Sequence, residues 1–146
     1  MPPLRTLLSA AALAALATLP AGAQQTDPLA HAEADILTLG GALYSQFCAS
    51  CHGGEARGDG PVAPLLTVPV PDLRSLAARN DGAFPMLAVI QTIDGRTART
   101  AHGGPMPIWG SVFGEAGGPV QTIPGTALEA RGRIMALSLW LESIQD

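Results

Sequence analysis

The feature that most constrains this 146-residue chain is the pentapeptide Cys48-Ala-Ser-Cys51-His52, which holds its only two cysteines. Two thiols three residues apart, followed directly by an imidazole, place three reactive or ligating side chains within a very short stretch of backbone. The chain must fold so that these groups can act together. The remaining sequence has to agree with whichever chemistry they perform.

Several chemistries use two cysteines at this spacing. A thioredoxin-like redox pair requires a βαβ context and a helix N-terminus, whereas this pair follows a helical pattern. A zinc site requires four ligands, and Cys48, Cys51 and His52 supply at most three. In an exported protein the two cysteines could also form a plain disulfide with each other. The pattern favours c-type haem attachment, with thioether bonds from Cys48 and Cys51 and with His52 as an axial iron ligand.

The N-terminal residues have the three parts of a secretory signal. Arg5 precedes an apolar run over 7–19, and Ala21-Gly-Ala23 provides a cleavage site. The run is shorter than the roughly 20 residues that span a bilayer, so an uncleaved membrane anchor is the less favoured alternative. We expect cleavage after Ala23 and a periplasmic location, which suits haem attachment outside the bacterial cytoplasm. We therefore predict a signal peptide at 1–23, a flexible leader at 24–31 and a single domain at 32–146.

Charge and composition narrow the classes of partner. The chain has no Lys, and removal of Arg5 with the signal leaves seven Arg against twelve acidic residues, a formal charge of −5. This balance argues against nucleic acid or an anionic membrane as partner. Gly and Pro are abundant and aromatic residues are scarce, so a small domain with long loops needs something else to fill its core.

Apolar periodicity predicts an all-α domain without strands. The expected helices lie at about residues 32–47, 72–79, 84–94 and 126–144. Asp72 is the expected N-cap of the second helix. The third helix is expected to have Pro85 in its first turn and to end at Gly95. Thr126 and Glu129 form a capping box at the start of the last helix. The apolar positions of that helix form one stripe: Ala130, Ile134, Leu137, Leu141 and Ile144. Two Gly- and Pro-rich loops, 53–71 and 96–124, connect these helices, and loops of this length are usually functional.

The candidates for the second axial ligand are the remaining histidines and methionines. Met86 and Met135 lie within apolar helical stripes, where methionine is usually core filler, and His31 lies in the leader. Met106 stands between two prolines that restrict the backbone on both sides, so its side chain can be presented in one direction at low entropic cost. Met106 is therefore the favoured ligand, and His102 is the alternative.

With these ligands the chain resembles a class I c-type cytochrome, a small exported mono-haem electron carrier. Four motifs carry the resemblance in family order, over about residues 36–146: GALYSQFCASCH, GDGPVAPLL, GGPMPIWG and MALSLWLESI. The resemblance implies three to five helices with long loops around one covalently bound haem c. It also implies that a proline carbonyl, assigned to Pro61, accepts the Nδ1–H of His52. The terminal helix is expected to place Trp140 against Gly40 or Gly41 of the first helix.

The implied function is one-electron transfer, with no catalysis because both axial positions are filled. The partners would be a redox donor and acceptor, and the absence of Lys favours a partner that recognises an acidic or neutral face. Trp109 is a candidate donor to a haem propionate, with plain packing as the alternative. Two functional alternatives remain: a haem subunit of a larger oxidoreductase complex, and a haem sensor or peroxidase-like protein with a labile sixth ligand.

Overall fold

The computed structural model describes residues 27–95, 106–114 and 126–146. Across these residues all regular structure is helical and no strand is present, which confirms the all-α prediction. The helices are α1 (Pro28–Phe47), α2 (Ala49–His52), α3 (Met86–Asp94), α4 (Trp109–Gly114) and α5 (Ala127–Ser143), with a 3₁₀ turn at Ala63–Leu65. The expected signal peptide (1–23), His102 and the greater part of the loop at 96–124 lie outside the described residues.

Helix α1 begins earlier than predicted. Its N-cap is Asp27, whose side chain accepts a hydrogen bond from the Leu29 amide, and Pro28 occupies the first helical position. An acidic cap followed by proline is a strong start signal, and it extends the helix into residues assigned to the leader. None of the helices among the described residues is long and apolar enough to cross a membrane.

Helices α1 and α5 make the most extensive contact between any two elements of the described structure. At Gly40, an added Cβ would lie 2.6 Å from the Cβ of Trp140 and would also overlap the Ala136 carbonyl oxygen. At Gly41 it would lie 2.9 Å from the Trp140 indole nitrogen. The prediction that Trp140 meets this glycine pair is confirmed. Each glycine costs an isolated helix about 1 kcal/mol, and here that cost permits the close approach of a second helix.

Helix α5 supplies the centre of the core. The predicted capping box is present: Thr126 Oγ1 accepts from the Glu129 amide, and the Glu129 carboxylate accepts from the Thr126 amide. The buried face of the helix includes Ala130, Ile134, Leu137 and Leu141, as the apolar stripe predicts. The same helix also contacts α3 and α4, so it organises every longer element around one core.

The segment between α2 and α3 departs from the prediction. No helix forms at 72–79; the chain makes successive turns there instead. Asp72 does cap locally, since its carboxylate accepts from the Arg74 amide, but the Ala77 amide donates to the Gln145 side chain, which belongs to the C-terminal end of the structure. Bonds to distant residues therefore replace part of the helical hydrogen bonding.

Helix α3 ends at Gly95 in the left-handed conformation, as predicted, whereas Pro85 is its N-cap and lies outside the first turn. Helix α4 was not anticipated: it lies inside the stretch that was predicted to be a loop at 96–124. Its six residues are too few to give a helical period in the sequence.

Candidate functional site

The two cysteines and the histidine lie on a single turn of backbone after α1. Cys48 is the C-cap of α1, and its carbonyl oxygen accepts from the His52 amide at 2.9 Å, which closes the turn. Cys48, Cys51 and His52 are all partly buried, and both cysteines are free thiols. The end of α1 thus brings together the three side chains that the motif singled out.

The orientation of His52 is set by a backbone carbonyl. Its Nδ1 lies 3.3 Å from the carbonyl oxygen of Pro71. A carbonyl oxygen can only accept, so Nδ1 carries the proton and Nε2 keeps its lone pair for a ligand bond. Burial lowers the pKa of the His52 imidazole below its ordinary value, and the bond to Pro71 acts in the opposite direction. Both observations describe a neutral imidazole suited to metal ligation.

The carbonyl at His52 was predicted to be that of Pro61, and the structure assigns it to Pro71. Pro61 is exposed, and its neighbours are fastened to the motif from another side: the Gly60 amide donates to the Cys51 carbonyl and the Val62 amide to the Ser50 carbonyl. These bonds direct the Pro61 backbone along α2. The loop then continues for ten residues before its chain returns to the imidazole.

Gly58 brings that returning chain close to His52. Its amide donates to the His52 carbonyl at 2.8 Å, and an added Cβ would lie 3.1 Å from the carbonyl carbon of Pro71. Gly58 also has a φ of 81°, a conformation that disfavours other residues. Gly58 therefore has a structural use in packing the Pro71 peptide against the motif.

The Cys48 thiol does not have the electrostatics of a redox nucleophile. Burial raises the pKa of the Cys48 thiol to about 12, and the neighbouring Cys51 contributes in the same direction. Thiols that attack disulfides have a lowered pKa, because the thiolate is the nucleophile. A thiol–disulfide oxidoreductase is therefore poorly supported.

Tyr44 connects the crossing of α1 and α5 to the cysteine–histidine motif, a role that the sequence did not reveal. Its ring is 1% exposed and lies 4.5 Å from the Trp140 ring, while its hydroxyl donates to the Gly53 carbonyl at 2.5 Å. Gly53 directly follows His52. Burial raises the pKa of the Tyr44 phenol, which keeps it protonated as a donor. The helix crossing thus extends by one hydrogen bond to the residue behind the imidazole.

Met106 and Trp109 lie in the described segment 106–114, just before and at the start of α4. Both are partly buried and pack against the same apolar cluster as Cys48. The Trp109 ring lies 5.4 Å from Phe47 and 5.7 Å from Phe113. These ring contacts give Trp109 a packing role, and its bond to a propionate stays a prediction, as does iron ligation by Met106.

The chemistry of the donor groups decides whether the site fits a haem group. It offers two free thiols for thioether bonds and an imidazole whose Nδ1 is anchored so that Nε2 can bind iron. Apolar side chains of the following loop are available to cover a hydrophobic macrocycle: Leu65 is 80% and Val68 43% exposed. Within residues 27–95, 106–114 and 126–146, no group of three or more His, Cys, Asp or Glu side chains is arranged to hold a metal ion. The donors present fit a covalently attached haem.

Comparison with known proteins agrees with this chemistry. A model of the Cytochrome c family matches residues 37–116, more than half of the chain, and the match includes the cysteine–histidine motif and Met106. No curated protein and no solved structure matches the chain. The family binds haem c and transfers electrons, and the all-helical fold, the spacing of the cysteines and the family match agree: this chain belongs to the cytochrome c family.

Proposed function

We propose that the protein is a periplasmic one-electron carrier with one haem c, bound covalently through Cys48 and Cys51 and ligated by His52 and Met106. The observation that carries the proposal is the anchored imidazole: His52 lies one turn from two free thiols, with its Nδ1 at the Pro71 carbonyl. A residue held in this way presents a single ligating nitrogen.

Each group of the site has a distinct part in this function. The two thiols would form the covalent attachment, and His52 Nε2 would be the proximal ligand. The Pro71 carbonyl fixes the imidazole ring and raises its basicity. When bound, the haem supplies a single Fe(III)/Fe(II) couple, whose potential a thioether ligand raises. Met106 is supported as that ligand because it packs against the same apolar cluster as Cys48.

A carrier is favoured over an enzyme because His52 and Met106, when both bind the iron, would leave no position for a substrate. Its partners would be redox proteins, and the mature charge of −5 favours those with a complementary basic face. The N-terminal signal pattern supports export. Membership of a larger oxidoreductase complex is compatible with the same site, whereas a sensor or peroxidase would require a displaceable sixth ligand.

Visible spectra of the haem-loaded protein test the ligand set. We expect a sulfur-to-iron charge-transfer band in the ferric protein and no carbon monoxide binding in the ferrous protein. The Met106→Ala variant should lose the band and bind carbon monoxide. Met135→Ala removes a methionine that is 42% exposed on α5, and this control should keep the wild-type spectrum. Rapid carbon monoxide binding by the wild type, or a band that persists in Met106→Ala, would refute the proposal.

A further inference from the structure

Gln145 and Asp146, at the C-terminal end of the structure, are bonded to the segment that follows Pro71. The Gln145 side chain accepts from the Ala77 amide at 2.9 Å and donates to the Leu73 carbonyl at 2.9 Å. The Asp146 amide donates to the Arg74 carbonyl at 3.1 Å. Two consecutive residues therefore bond to the backbone of 73–77 at three points.

Charged groups reinforce this attachment. The Asp146 carboxylate accepts from the Arg74 guanidinium at 2.7 and 2.9 Å through two nitrogens, and from Arg57 at 3.3 Å. Arg57 directly precedes Gly58, which packs on the Pro71 peptide. Asp146 therefore links the two backbone segments that meet at His52: the segment that contains Gly58 and the segment that contains Pro71.

Apolar burial holds this part of the chain less firmly than the core. No side chain from residue 61 to residue 83 is fully buried, although Leu73 and Leu76 are partly buried against the core cluster. The Leu73 amide donates to the Ala56 carbonyl at 2.8 Å, which ties the segment to the loop behind His52. The position of the Pro71 carbonyl consequently depends on this partial burial and on a small number of polar bonds, several of which end on Gln145 and Asp146.

We infer that Gln145 and Asp146 are positioning residues for the haem ligand: they hold the Pro71 carbonyl at His52 Nδ1 and thereby set the reduction potential. The inference rests on the proposed function, in which His52 ligates iron. A carbonyl acceptor gives the imidazole more negative character, and a more basic ligand stabilises Fe(III). Loosening the attachment should therefore raise the reduction potential.

Two variants and two matched controls test the inference in the haem-loaded protein. Gln145→Ala removes the side-chain bonds without changing charge, and Gln91→Ala makes the same truncation at an exposed site on α3. Asp146→Asn removes one negative charge at the network, and Asp81→Asn removes one from an exposed turn where φ is 54°, a conformation that Asn tolerates. The readouts are the reduction potential and the rate at which the His52 Nδ1 proton exchanges with solvent, measured by NMR.

We expect both network variants to raise the potential and to accelerate Nδ1 proton exchange about tenfold, which corresponds to about 1.4 kcal/mol. Neither control should do so. A lower unfolding temperature with unchanged potential and unchanged exchange would overturn the inference and leave a purely structural role. Wild-type carbon monoxide binding would refute Met106 ligation instead, and the exchange rates would still decide the inference because His52 remains the proximal ligand.

Discussion

The haem motif lies between two regions that are held together by different forces. On one side, α1 crosses α5 through glycine contacts, and the side chains there are almost fully buried: Leu43, Tyr44, Ile134, Leu137 and Leu141 are each 4% exposed or less. On the other side, residues 61–83 contain no fully buried side chain. They are held by polar bonds to Gln145 and Asp146 and by the partial burial of Leu73 and Leu76.

The difference assigns separate tasks to the two regions. Close apolar packing fixes where α1 ends and hence where Cys48, Cys51 and His52 stand, because packed cores resist displacement. The polar segment supplies the carbonyl that orients the imidazole, and polar bonds at the surface respond more readily to pH and substitution. Changes at the crossing should therefore affect folding, whereas changes in the polar segment should mainly affect the tuning of the site.

The largest effect is expected from Gly40→Ala, which places a methyl group against the Ala136 carbonyl and the Trp140 Cβ. Because both contacts involve α5, the helices must separate, at a cost of about 3 kcal/mol. The control Gly132→Ala lies on α5 with no atom within 4 Å of the added Cβ, and it should be neutral or stabilising by up to about 1 kcal/mol. Urea unfolding measures both variants, and equal midpoints would break the comparison.

A smaller loss is expected from Tyr44→Phe, which keeps the ring against Trp140 but removes one of two donors to the Gly53 carbonyl; the Ala56 amide, at 3.2 Å, remains. The loss of one buried hydrogen bond costs about 1 kcal/mol. Ser45→Ala also removes a hydroxyl from α1, but that hydroxyl is exposed, and the change should be close to neutral. Thermal unfolding of the two variants distinguishes these outcomes. A Tyr44→Phe protein as stable as the wild type would show that the hydrogen bond from Tyr44 to Gly53 does not stabilise the motif.

The smallest expected effect is the pH dependence of the stability that the Asp146 carboxylate contributes. The hydrogen bond from Arg74 holds the pKa of the Asp146 carboxyl below its usual value, with Arg57 acting in the same direction. A lowered folded-state pKa means that the stabilisation is present above the unfolded value of about 3.9 and disappears as pH falls through the folded value. The difference in unfolding midpoint between wild type and Asp146→Asn should therefore vanish in acid. Asp72 and Glu55, the other carboxylates near these arginines, are present in both proteins.

A midpoint difference that persists unchanged at about pH 2, where the carboxyl is protonated, would show that the charge of Asp146 contributes nothing. Urea titrations at several pH values supply this measurement. Gly40→Ala compared with wild type should show no such convergence, because its contacts contain no titrating group.

The scaffold could be predicted from the sequence because its signals are local. The capping box at Thr126, the terminal glycine of α3 and the apolar stripe of α5 each lie within a few residues, and all three are confirmed. The helix predicted at 72–79 is wrong because its competing partners are distant: the Ala77 amide bonds to Gln145, 68 residues away. Local propensity cannot indicate such a partner.

The site was only partly predictable for the same reason. Cysteine and histidine side chains can be recognised in a sequence by their type and spacing, and the Cytochrome c family match includes them. The acceptor at His52 is a backbone carbonyl, which every residue possesses, and the loop offers prolines at 61, 64, 69 and 71. Only the path of the folded chain selects Pro71.

The most direct test of the account is the mass of the mature polypeptide after acid denaturation and solvent extraction, for protein produced with a haem-attachment system. The account predicts that the mass of one haem stays with the wild-type chain, and that it is lost when Cys48 and Cys51 are both replaced by Ala. A wild-type chain that carries no haem after extraction, or a double variant that retains it, would contradict covalent attachment at this motif.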